Sequence, residues 1–110
     1  MKISRDKNYA LIVSTETTFS NFIEAFNKQK LGEVSEHKII QLSENLNTTV
    51  KDLSIFLEIA NTQRINGISF VIVCKGIDID DIPDEINVVP TINEAEDVLE
   101  MEAIERDLGF

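Results

Sequence analysis

Two adjacent threonines, Thr48 and Thr49, carry the clearest chemistry in this 110-residue chain. They stand in the run Ile39 to Phe56, IIQLSENLNTTVKDLSIF, where an apolar strand passes through a short polar loop into a helix. The first N–H groups of a helix lack intrahelical partners and its dipole is positive there, so a phosphate carried at this corner would meet ready donors. Thr49-Val50-Lys51-Asp52 also has the spacing of a capping box, with Asp in place of the usual Glu or Gln, and capping alone is the simpler role for these hydroxyls.

Other reactive side chains are sparse. His37 is the only histidine, at a strand entrance, where a surface or edge position is expected. Without a second histidine or a neighbouring thiolate it anchors neither a zinc site nor a catalytic triad. Cys74 is the only cysteine and ends an apolar run, which makes it a core residue and excludes an internal disulfide. Asp78, Asp80 and Asp81 invite a calcium reading, but the spacing lacks the glycine and the closing bidentate glutamate of an EF-hand loop. No metal and no cofactor is expected. A small metal-dependent hydrolase or nuclease is the remote alternative, and it would have only carboxylates from which to build a site.

The elements that position these residues follow from periodicity. Lys2 to Arg5 and Tyr9 to Ser14 read as two strands around the polar turn Asp6-Lys7-Asn8. Thr15, Thr17, Thr18 and Ser20 offer caps for a helix whose Phe19, Phe22, Ile23 and Phe26 recur at spacings of three and four, ending near Leu31-Gly32. Lys38 to Leu42 is a third strand. The helix after the threonines carries Leu53, Phe56, Leu57 and Ala60 on one stripe, with Ile55 and Ile59 beside it, and stops at Asn66-Gly67. Phe70 to Cys74 needs cover on both faces and belongs at the centre of a parallel sheet. Lys75 to Glu85 is an acidic loop pinned by Ile77, Ile79 and Ile82; Ile86 to Val89 is a last strand. Thr91-Ile92-Asn93-Glu94 then forms a capping box for an acidic helix over 91–108. Ile92, Ala95 and Leu99 suit burial, whereas Met101, Ile104 and Leu108, with Phe110 beyond, make a second stripe. That stripe either folds back on the core or docks a partner or a second copy, giving a homodimer.

The order strand, strand, helix, strand, helix, strand, strand, helix (β-β-α-β-α-β-β-α) over residues 1–110, with its hairpin and IIQL leading into NLNTTVKDLSIFLEIANTQRINGISFVIVC, resembles the STAS domain family, the sulfate transporter and anti-sigma factor antagonists, in a bacterial single-domain form. The resemblance implies an α/β fold: a mixed sheet that opens with a hairpin and continues in largely parallel strands. In that family a hydroxyl residue in an Asp-Ser-Ser/Thr-Gly type motif at the start of the second helix is phosphorylated by a partner kinase. The matching positions here read Asn47-Thr48-Thr49-Val50. The implied function is a non-catalytic regulatory module that binds a protein partner, an anti-sigma factor or kinase-like protein, through Asn47, Thr48, Thr49, Val50 and Lys51. Thr48 or Thr49 would then be the phosphorylation site. The alternative is an adaptor or assembly protein that docks through Met101, Ile104, Leu108 and Phe110 and is never phosphorylated.

Composition bounds these readings. The net charge is −10, and twelve of the twenty acids lie after Lys75, where Arg106 is the only base. A field of that sign repels nucleic acid and favours basic partners. At this length one domain with one core is expected. No apolar run approaches the roughly 20 residues that span a bilayer, so membrane insertion is not expected and the setting implied is cytoplasmic.

Overall fold

A computed structural model of the chain describes residues 1–6, 8–33 and 35–109 and shows an α/β fold built on a five-stranded mixed sheet. The strands are β1 (Lys2–Arg5), β2 (Ala10–Val13), β3 (Lys38–Gln41), β4 (Phe70–Val73) and β5 (Asn87–Val89), and they lie side by side in chain order. β1 pairs antiparallel with β2, in register Arg5 with Ala10; β2 to β5 are all parallel. The hairpin turn is held by the Asp6 carboxylate, which accepts from the N–H groups of Asn8 (2.7 Å) and Tyr9 (3.0 Å). Lys7 lies outside the described residues.

Side chains alternate across a strand, so each strand feeds two cores. On one face Ile12, Ile40, Phe70, Ile72 and Val88 pack under the helices α1 (Phe19–Lys28) and α3 (Leu57–Ile65). On the other, Ile39, Val71 and Val73 pack under α4 (Ile92–Asp107). β4, FVIV, is buried along its whole length because it is covered on both sides. The chain between β4 and β5 covers the first face with a single 3-10 turn, Ile79–Asp81, in place of a helix. Ile77 and Ile82 anchor it there; Ile79, expected to help pin the loop, is 61% exposed.

The first helix ends earlier than the phenylalanine spacing suggests. Lys30 takes a left-handed φ of +54°, which breaks the ladder after Lys28, and Leu31–Glu33 forms a separate 3-10 turn. Thr18 is the cap that is used: its Oγ1 accepts the Asn21 N–H at 3.1 Å. The helix after the threonines is also not continuous. α2 (Val50–Leu53) gives way to a 3-10 turn, Ser54–Phe56, before α3 begins. Ser54 Oγ donates back to the Val50 carbonyl at 3.1 Å, a bond that competes with the regular ladder and bends a helix. The bend turns Phe56 inward and leaves Ile55 52% exposed, although the stripe placed it beside the buried row. At the far end Asn66 caps and Gly67 takes φ +72°, the left-handed stop that the Asn-Gly pair predicts.

Candidate functional site

Residues 47–51 form a corner at the carboxyl end of β3, on the face of the sheet that carries α1 and α3. The loop into it is tied down in steps. Leu42 N–H donates to the Val73 carbonyl (2.9 Å), Ser43 N–H to the buried Ser14 Oγ (2.8 Å), and Ser43 Oγ caps the 3-10 turn Glu44–Leu46 by accepting from Asn45 N–H (3.2 Å). Leu46 is buried. Asn47 then adopts a left-handed conformation, φ 49° and ψ 45°, which reverses the chain; Asn tolerates this region better than most residues. Asn47, Thr49 and Lys51 are exposed, Thr48 and Val50 half-buried, and Val50 packs on the core.

The two threonines differ sharply. Thr49 is the cap of α2. Its Oγ1 accepts from Asp52 N–H at 3.1 Å while the Asp52 carboxylate accepts from Thr49 N–H at 3.0 Å, so the Asp variant of the capping box closes fully. Thr48 Oγ1 is buried and has no hydrogen-bond partner among the described residues. An unsatisfied buried hydroxyl costs on the order of 1–3 kcal/mol, so Thr48→Val, which keeps the shape and removes the hydroxyl, is expected to raise unfolding stability by about 1 kcal/mol. A urea midpoint at or below that of the wild type would contradict this burial.

Beside the corner, a cleft of about 510 Å³ opens at the carboxyl ends of the parallel strands, lined by Ser14, Ser43, Glu44, Lys75 and Thr91. It lies where β4 leads to one face of the sheet and β5 to the other, the place where open α/β sheets offer a crevice. Thr91 caps α4, its Oγ1 accepting from Glu94 N–H at 3.2 Å. The Thr91 hydroxyl in turn donates to the Glu94 carboxylate at 3.1 Å, where the expected box would have that carboxylate accept from the Thr91 N–H.

The second predicted group lies across the sheet. α4 presents Ile92, Ala95, Val98 and Leu99 to the sheet, and its last turns are held by polar contacts: Glu102 accepts from Asn87 Nδ2 (3.3 Å) and Arg106 Nη1 donates to Ser69 Oγ (3.3 Å). Met101, Ile104 and Leu108 are 59%, 56% and 67% exposed. Phe110, grouped with them by sequence, lies outside the described residues.

No sequence pattern marked the polar cluster at the opposite end of β3 and β4. Lys38 is fully buried, its Nζ donating to the Glu36 carbonyl (2.9 Å) and to Gln63 Oε1 (3.0 Å). Burial, the largest influence, pushes its ammonium down to about 8 from 10.5. His37 is half-buried rather than a surface residue: its Nδ1 accepts the Ser69 N–H at 2.9 Å, which puts the ring proton on Nε2. Burial and then the nearby Arg106 lower the pKa of this imidazole. The signal for Lys38 was the period of two, which places it on the same inward face as Ile40.

Among the described residues no group of three or more His, Cys, Asp or Glu side chains is placed to hold a metal ion, and no helix is long and apolar enough to cross a membrane. Asp78 instead caps its own 3-10 turn, Oδ1 accepting from Asp80 N–H at 3.0 Å. Cys74 is buried, and burial raises its thiol pKa. No protein-family model matches the chain, and no curated protein matches it.

Proposed function

We propose that this chain is a non-catalytic regulatory module, STAS-like in its design, that binds a protein partner through residues 47–51 and uses Thr49 as its switch. The observation that carries this reading is the contrast between the two hydroxyls: Thr49 sits exposed at the tip of the corner, and Thr48 Oγ1 is shut away from any enzyme that would modify it. A phosphate on Thr49 adds about −1.5 to −2 charges at pH 7 and faces the Asp52 carboxylate across the capping box. Like charges at that spacing repel, so modification alters both the shape and the sign of the surface offered to the partner. Asn47 and Val50 replace the acid and the glycine of the family's motif, and the polar groups at the exposed tip are Asn47, Thr49 and Lys51.

Thr49→Glu is expected to cost about 1 kcal/mol of stability through loss of the cap and to lower partner affinity at least tenfold; Thr49→Ser, which keeps the cap, retains both. The measurement is a pull-down from native extract with mass spectrometry, followed by titration of the recovered partner. A partner held equally by the wild type and Thr49→Glu would overturn the switch. The exposed Met101, Ile104 and Leu108 favour a second reading, an adaptor that docks through its acidic helix, and the two uses occupy opposite faces of the sheet.

A further inference from the structure

α4 carries two apolar stripes that cannot serve the same neighbour. At about 100° per residue, Met101, Ile104 and Leu108 centre roughly 180° around the helix from Ile92, Ala95 and Leu99. The second group packs on the sheet, so the first points away from it, into solvent, and no shift of the helix along its axis brings it to the protein's own core. The spacing of three and four is that of one seam of a two-helix contact. The seam is short: one turn earlier the same side carries Asp97, and the apolar length from Met101 to Leu108 is only about 10 Å.

Its borders define what fits. Glu100 and Asp107 flank the stripe on one side and Glu105 on the other. From Glu94 to Asp107 the helix has seven acids against Arg106, a net charge of −6. A second copy laid on the stripe would set −6 against −6 across a narrow apolar seam. An anionic lipid surface would be repelled in the same way.

The geometry points to the outer face of α4 as a docking surface for a basic amphipathic helix of a partner protein, whose apolar row packs along Met101, Ile104 and Leu108 and whose flanking lysines or arginines meet Glu100, Glu105 and Asp107. This surface is independent of the 47–51 corner, so either can fail without the other.

The test uses the full chain and a fluorescently labelled 21-residue peptide of leucine and lysine, with the leucines in heptad a and d positions. Anisotropy titrations are expected to give saturable binding that weakens with added salt. The triple variant Met101→Ser, Ile104→Ser, Leu108→Ser is expected to bind at least tenfold more weakly, as is a scrambled peptide of identical composition presented to the wild type. All three residues are more than half exposed, so the variant keeps the fold, which its circular dichroism checks. Equal binding by the triple variant, or equal binding of the scrambled peptide, would reduce the interaction to net charge and overturn the proposal. So would sedimentation of the wild type as a dimer that the triple variant abolishes, because a second copy would then cover the stripe.

Discussion

Replacing Phe56 by alanine is expected to remove about 3–5 kcal/mol of stability, a large share of what a domain of this size possesses. Phe56 is fully buried at the 3-10 turn between α2 and α3, and its ring meets three others: Phe19 at 5.9 Å and Phe26 at 5.7 Å, both edge to face, and Phe70 of β4 at 5.8 Å. It therefore ties α1, the bend after the corner and the central strand into one cluster. Neighbouring rings cannot all collapse into the space it leaves, so the cost is a cavity in addition to lost burial. Phe56→Leu, which refills much of that volume, is expected to recover more than half of the loss. Urea denaturation of the three proteins decides the matter; a Phe56→Ala midpoint close to the wild type would mean that these rings do not form the core. The same substitution loosens the platform under residues 47–51, so partner binding through the corner is expected to fall with it.

The second large effect is a dependence on pH with its origin at Lys38. The ammonium has a folded pKa of about 8 against an ordinary 10.5, so between those values the unfolded chain binds the proton that the folded chain has released. Stability then rises with pH through this window, by about 2 kcal/mol between pH 7.5 and 9.5 and by about 3 kcal/mol over the whole of it. Two other groups act in the opposite sense. Burial raises the Cys74 thiol, and burial together with the Glu96 carboxylate, 3.2 Å away, raises the Tyr9 phenol, so both favour the folded state less as pH climbs past their ordinary values. The comparison that isolates the lysine is therefore wild type against Lys38→Met, each unfolded in urea at pH 7.5 and 9.5. The wild type is expected to gain relative to the variant by about 2 kcal/mol over that interval. Parallel profiles would show that the lysine keeps its proton in the folded state.

Lys38 also shows why part of the structure could not be read from the chain. A strand beginning with lysine suggests a solvated start, and the only local feature that opposes it is the period of two that aligns Lys38 with Ile40. The side chain is buried because Gln63, twenty-five residues away on α3, offers an acceptor at 3.0 Å while the rest of Gln63 reaches the Gly32 carbonyl (3.4 Å). A partner at that separation leaves no trace in a window of ten residues. Ser69, His37 and Arg106 belong to the same class: one from the start of β4, one from the start of β3 and one from the end of α4, joined by bonds that no spacing encodes.

The features that were legible are those set by neighbours along the chain. The phenylalanine stripe at three and four, the alternation in β2 and β3, the two-sided apolar run of β4 and the caps at Thr18, Thr49 and Thr91 all depend on contacts within a few residues, and they produced the order of elements and the placing of Thr48 and Thr49 at a helix start. By itself the sequence determined an α/β sheet with a hydroxyl-bearing corner and an acidic, doubly striped last helix. Only the tertiary structure decided which threonine faces solvent and which stripe faces the sheet. Both depend on the depth to which an element sinks against distant ones. Leu46 and Val50 draw Thr48 inward as they enter the core, and the underside of the sheet takes Ile92, Ala95 and Leu99 and leaves Met101, Ile104 and Leu108 outside.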